Sequence, residues 1–186
     1  AFPSTTSVSL SCLGTGAAPG THGMLGYDVL DPATDRVVNM LGQWPADVDP
    51  LAWQPVPTVL ERAAEHVDTA TVSAPRFETS GLTRAALRGG RFVGADGVYA
   101  RTARTLEQLR EGRRGLVYFY WDELDKTGHR VGWHSDAWLR SLEELDSALK
   151  RLVTRLPANT RVLLTADHGM VDVGPETAWT SVGRRI

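Results

Sequence analysis

Leu139, Leu142, Leu145, Leu149, Leu152, Val153 and Leu156 recur at spacings of three and four, while Glu143, Glu144, Lys150 and Arg151 fall on the other side. This period predicts an amphipathic helix with one apolar stripe. Ser135 and Asp136 stand where an N-cap and a first-turn acid belong, and Pro157 stops the helix. A short apolar run lies on each side of it, Leu116 to Trp121 and Arg161 to Thr165, the second preceded by Pro157-Ala158-Asn159. Both runs predict buried strands. Strand, helix and strand over about fifty residues form a βαβ unit, which requires a parallel sheet covered by helices.

Upstream, Pro57 to His66, with Val59, Leu60 and Ala63, predicts a helix leading into a strand at Thr69 to Ser73. Val98 to Arg110 repeats the helical pattern before the Leu116 strand. Residues 14–55 and 75–97 hold many glycines and prolines and read as loops with short elements. The fold class is therefore α/β, a mostly parallel sheet flanked by helices, in a single domain over residues 1–186.

Charge and composition narrow the function. The 20 basic and 22 acidic residues are well mixed, so no electrostatic footprint for sequence-specific nucleic-acid or anionic-membrane binding is expected. The longest apolar run is far below the roughly 18 residues that span a bilayer, so no membrane span is expected. The single Cys12 excludes an internal disulfide framework and favours a cytoplasmic location. Ala1-Phe2-Pro3-Ser4 carries no signal-peptide pattern.

Ligands of parallel α/β sheets bind beyond the carboxyl ends of the strands. Asp122-Glu123-Leu124-Asp125-Lys126-Thr127-Gly128-His129 follows the first predicted strand of the βαβ unit, and Ala166-Asp167-His168-Gly169-Met170 follows the second. Each offers a carboxylate and an imidazole, a donor set that suits Zn²⁺, or Mn²⁺ and Fe²⁺ with more oxygen. Either pair alone reads more often as a hydrogen-bonded turn or helix cap than as a metal site. Adjacent strands would carry both pairs to one edge of the sheet, and that convergence is the signal. The N-terminal segment by itself predicts a polar lead into a short helix ended by glycine, with its hydroxyl an N-cap.

Together these segments resemble the nucleotide pyrophosphatase/phosphodiesterase family of the alkaline phosphatase superfamily. Phe2-Pro3-Ser4-Thr5-Thr6, with Thr15-Gly16, Pro19 and His22-Gly23, is similar to the family's nucleophile segment. Glu123-Leu124-Asp125 with Gly128-His129, Gly132 and Ser135, and Thr165 to Met170, are similar to its two metal-binding segments. The resemblance runs from residue 2 to about residue 173 and implies an alkaline-phosphatase-like core. It implies that Thr6 is the nucleophile, that Asp125 and His129 hold one divalent ion, and that Asp167, His168 and the Thr6 hydroxyl belong to a second. The implied cofactors are two divalent ions, Zn²⁺ or alternatively Mn²⁺. The implied activity is hydrolysis of small-molecule phosphodiester or pyrophosphate bonds, nucleotide-like substrates included, through a phosphothreonine intermediate. A phosphomonoesterase of the same superfamily, or a non-catalytic domain derived from the fold, is the alternative.

Two features depart from the family pattern. Its sites are completed by an aspartate on a strand before the nucleophile and by a histidine well after the Asp-His-Gly segment. Neither has a counterpart here, so the sequence is expected to be part of a longer catalytic domain. Gly26-Tyr27-Asp28 stands near the family's phosphate-binding asparagine, so Tyr27 is the candidate substrate-binding donor, with a packed aromatic as the plain reading. A sulfatase is disfavoured because Cys12-Leu13-Gly14 lacks the Cys-x-Pro-x-Arg context. His22 reads as a turn residue or a support behind the site, His66 and His134 as surface histidines, and the six tryptophans as core.

Overall fold

The computed structural model describes residues 4–109 and 114–172; Phe2-Pro3, Arg110 and the segment from Val173 onward, all named above, lie outside the described residues. Thr5 is extended, and its Oγ1 accepts the Val8 N–H at 3.4 Å, so helix α1 (Thr6–Thr15) begins at Thr6. Gly16, at φ 70°, ends α1 by donating its N–H to the Cys12 carbonyl at 2.8 Å, the glycine stop that the sequence predicts. The next stretch, where loops with short elements are expected, contains the short helix α2 (Pro19–His22), an antiparallel hairpin of β1 (Asp28–Asp31) and β2 (Arg36–Asn39), and helix α3 (Pro50–Trp53). Helix α4 (Val59–Ala64) carries a reciprocal cap between Thr58 and Glu61 and leads into β3 (Asp68–Ser73). A 3₁₀ turn (Pro75–Phe77), helix α5 (Gly81–Ala86) and β4 (Arg91–Gly94) follow, then α6 (Val98–Leu109), β5 (Gly115–Phe119), α7 (Glu123–Val131) and α8 (Asp136–Val153).

The main sheet is parallel, in the order β4-β3-β5, with Thr71 opposite both Phe92 and Tyr118. The chain steps from β3 to β4 in one direction and from β4 back across β3 to β5 in the other. Right-handed crossovers therefore place α5 and α6 on opposite faces. On the α5 side, α1 packs on α5, and Leu10, Met24, Val38, Met40, Trp44, Leu82 and Leu87 form the main core cluster. On the other side α6 meets α8, burying Val98, Leu106, Ala148 and Leu152. The chain leaves β3 toward one face and β5 toward the other, so a crevice opens between their carboxyl ends, where α/β folds place ligands.

One predicted strand is corrected. Among the described residues Arg161 to Thr165 form no ladder, and Leu163 is 96% and Leu164 74% exposed. Among the described residues β5 pairs only with β3. A β-prone run becomes a strand only when a neighbour takes its backbone groups and a layer covers its side chains, and among the described residues this run has neither. Helix α8 also ends at Val153 rather than Leu156, closing through a Thr154 turn.

Candidate active site

Thr6 is the first residue of α1. Hydroxyls stitch this end of the helix together: Thr5 Oγ1 lies 2.9 Å from Ser7 Oγ, which donates to the Gly26 carbonyl at 2.6 Å. Ser11 Oγ and Thr15 Oγ1 donate back to the carbonyls of Ser7 and Ser11, each at 2.6 Å. Small residues let α1 lie close to its neighbours. At Gly14 a Cβ would stand 2.0 Å from the Ala86 carbonyl oxygen of α5.

Asp125 and His129 lie one turn apart on α7, with His129 Nε2 3.4 Å from Asp125 Oδ1. The segment after the unpaired 161–165 run brings in the second pair. His168 Nε2 lies 3.1 Å from Thr6 Oγ1, 3.9 Å from Asp125 Oδ1 and 3.6 Å from Asp167 Oδ2. All five residues singled out in the sequence, Thr6, Asp125, His129, Asp167 and His168, thus meet at the carboxyl edge of the sheet. The convergence does not depend on a strand next to β5. Met170 instead packs on α7 where Gly128 leaves space, a Cβ there being 2.0 Å from its Sδ, and the Trp133 N–H donates to Asp172 Oδ1 at 3.1 Å.

These groups suit a divalent ion in their chemistry. Asp125 Oδ1 is buried and makes no hydrogen bond, an orphaned acceptor turned toward two imidazoles. His168 Nδ1 lies 2.8 Å from the Gly169 carbonyl, which can only accept, so the ring proton sits on Nδ1 and the Nε2 lone pair faces Thr6. Donors about 2.1 Å from a tetrahedral ion stand roughly 3.4 Å apart, near the separations seen here. They do not form a finished cage: among the described residues no group of three or more His, Cys, Asp or Glu is arranged to hold a metal ion.

A cationic brace holds the end of β5. Asp122, 5% exposed, meets Arg76 and Lys126 at 2.5 Å each and Arg101 at 3.3 Å. Burial pushes its carboxyl up, but the three cations outweigh burial and hold it below the usual range. Arg101, only 2% exposed, also donates to the carbonyls of Ala95 and Tyr120 at 2.9 and 3.0 Å, and its guanidinium lies over the Trp121 ring. It ties the carboxyl ends of β4 and β5 together. Burial, with Asp167 nearby, raises the hydroxyl pKa of Tyr118 and Tyr120 well above the ordinary tyrosine value, so both remain protonated.

Arg101 and Arg76 were not singled out in the sequence. Arg101 had a signal, because Val98, Arg101, Thr102, Thr105 and Leu106 share one face of α6, and an arginine on an apolar face implies a buried partner. Arg76 had none, because its pairing depends on β3 and β5 being neighbours. Tyr27 is 51% exposed beside the Gly26 carbonyl that anchors Ser7, so it is not a packed aromatic. His22 is fully buried, with Nδ1 accepting the Met24 N–H at 3.1 Å and Nε2 3.3 Å from Cys12 Sγ. His66 and His134 are exposed, as expected. Trp44 is core and Trp53 packs against it, whereas Trp121, Trp133 and Trp138 are only partly buried.

The fold and the cluster define a parallel α/β protein that gathers a hydroxyl, two carboxylates and two imidazoles at the carboxyl edge of its sheet. Its family follows from comparison. The chain belongs to the type I phosphodiesterase / nucleotide pyrophosphatase family, whose model matches residues 1–181. It is 36% identical over 128 residues to the phosphopentomutase of Anaeromyxobacter dehalogenans strain 2CP-C, a match covering 66% of this chain and 30% of that protein. Among solved structures it is similar to murine ectonucleotide pyrophosphatase/phosphodiesterase 5, in an inactive threonine-to-alanine form in complex with AMP. That match has a TM-score of 0.63 and 18% identity, covering 83% of this chain and 41% of that one. Phosphonoacetate hydrolase from Sinorhizobium meliloti 1021, in complex with phosphonoformate, matches with a TM-score of 0.56 and 19% identity over 82% of this chain and 43% of that one. The chain therefore spans less than half the length of these relatives.

Proposed function

We propose that this chain carries the nucleophile half of a phosphoester hydrolase cleaving phosphodiester or pyrophosphate bonds, with Thr6 as nucleophile. The observation that carries the reading is the 3.1 Å approach of Thr6 Oγ1 to His168 Nε2 across 162 residues, with Asp125 alongside. Family membership supports it. Asp125 and His129 would hold one divalent ion, and Asp167, His168 and the Thr6 oxygen a second, Zn²⁺ or alternatively Mn²⁺. Bound ions of this kind supply Lewis acidity, favouring the alkoxide and neutralising phosphoryl oxygens.

The chain's own residues supply position. Thr6 stands at the N-terminus of α1, where free backbone N–H groups attract a phosphoryl group. Tyr27, beside that terminus, is the candidate donor to a phosphoryl oxygen. Thr6 Oγ1 attacks phosphorus in line and the alcohol or phosphate opposite departs with its bonding electron pair, leaving phosphothreonine. Water then attacks that phosphorus, releasing phosphate or its ester and restoring the hydroxyl.

The similarity to phosphopentomutases favours a second reading, a phosphate monoester of a sugar as substrate. Rates of the full-length protein on p-nitrophenyl phosphate and bis(p-nitrophenyl) phosphate separate the two readings. In either, Thr6→Ala is expected to lower turnover by about 10³-fold or more, with bound metal reduced little. Full activity in that variant removes Thr6 from the chemistry.

A further inference from the structure

We propose that Arg76 and Lys126 form a receptor for a second phosphate group on the substrate, and so set a preference for a pyrophosphate linkage over a diester of two neutral alcohols. This rests on the catalytic reading of Thr6 and deepens it. Both cations stand at the edge of the cleft that holds the nucleophile. Lys126, Asp122 and Phe77 share its wall with Thr6 and Asp125. The Arg76 guanidinium carbon lies 4.6 Å from the centre of the Phe77 ring.

Holding Asp122 does not by itself account for the pair. The buried Arg101 already meets Asp122 Oδ1, whereas Arg76 Nη2 and Lys126 Nζ converge on the single oxygen Oδ2, each at 2.5 Å. The two cations are therefore no more than twice that distance apart, and like charges so close repel each other. Among the described residues one further carboxylate reaches them, Glu123, at 3.9 Å from Arg76 and 3.1 Å from Lys126. Three cations thus face two carboxylates, which leaves one positive charge over. That surplus is on the open side, because Arg76 and Lys126 side chains are 49% and 41% exposed and Arg101 is 2% exposed. Arginine carries five N–H donors and lysine three, and Arg76 commits one nitrogen to these carboxylates. An anion with several acceptor oxygens takes charge-assisted hydrogen bonds from both side chains. A phosphate joined by a bridging oxygen to the one at Thr6 is such an anion, and a neutral alcohol is not.

Two measurements on the full-length protein, supplied with Zn²⁺, test the assignment. Symmetric diphenyl pyrophosphate carries the second phosphate and bis(p-nitrophenyl) phosphate does not. Lys126→Met and Arg76→Met are each expected to lower kcat/KM for the pyrophosphate about tenfold more than for the diester. Lys126→Arg, which keeps the charge, is expected to restore the preference. Co-crystals of Thr6→Ala with diphenyl pyrophosphate, which leave both cations in place, are expected to show one phosphate beside residue 6 and the other within hydrogen-bond distance of Arg76 and Lys126. Equal losses on the two substrates, or a second phosphate ordered away from both side chains, overturns the proposal and makes the pair a brace for Asp122 alone. The two readings fail separately. Loss of turnover in Thr6→Ala with equal losses in Lys126→Met leaves the nucleophile and removes the receptor, while a selective loss in a protein whose Thr6→Ala form is fully active does the reverse.

Discussion

Asp122 and His22 show how single buried groups are held in one charge state. Asp122 faces Arg76, Lys126 and Arg101 at the end of β5. Asp122→Asn leaves Arg101 buried without its counter-charge, and removing one partner of a buried pair costs about 3–5 kcal/mol. Urea unfolding of the full-length protein at neutral pH checks this; a change under about 0.5 kcal/mol contradicts the brace. His22 behaves in the opposite sense. Burial lowers its pKa, and its Nδ1 already accepts the Met24 N–H, leaving no room for a second ring proton. Above the unfolded pKa of about 6.5 both states are neutral; below it the unfolded chain takes up the proton first, so stability falls. Unfolding at about pH 7.5 and about pH 5.5 is expected to show this loss in the wild type and a smaller one in His22→Gln. An identical loss in both proteins places the titrating group elsewhere. Asp122 and Arg101 were partly legible, since Asp122 follows an apolar run and Arg101 sits on an apolar face, but that they pair is a fact of topology.

At the scale of elements, close approach of backbones positions the site. Gly14 lets α1 lie on α5, and a methyl group there would meet the rigid Ala86 carbonyl. Gly14→Ala is expected to destabilise the fold by about 1–3 kcal/mol or more and to displace Thr6 with the helix; an unchanged unfolding midpoint contradicts this packing. Helix α8 was readable because its apolar positions keep one period over 18 residues, and β3 and β5 because each is a short β-prone run following a helical pattern. Strand β4 was not, because Arg91-Phe92-Val93-Gly94 has four residues, one charge and a terminal glycine, and it becomes a strand only through β3. The 161–165 run fails the other way, with the composition of a strand and no partner among the described residues.

For the whole molecule, the residues singled out for chemistry were legible as separate motifs, and their meeting was expected, though by a different route from the one the fold takes. Thr6 lies at the start of the chain, Asp125 and His129 on α7, and Asp167 and His168 beyond α8, yet the fold brings them within a few ångströms of one another. Two adjacent strands are the route that the sequence predicts. The structure reaches the same meeting through β5, α7 and the seating of Met170 on Gly128. The central claim is that this cluster exists to hold divalent ions against the Thr6 oxygen. Anomalous diffraction at the zinc edge, from crystals of the full-length protein supplied with Zn²⁺, tests it most directly. The account predicts one peak bounded by Asp125 and His129 and a second bounded by Asp167, His168 and Thr6. Well-ordered density for all five side chains with no peak among them would contradict it.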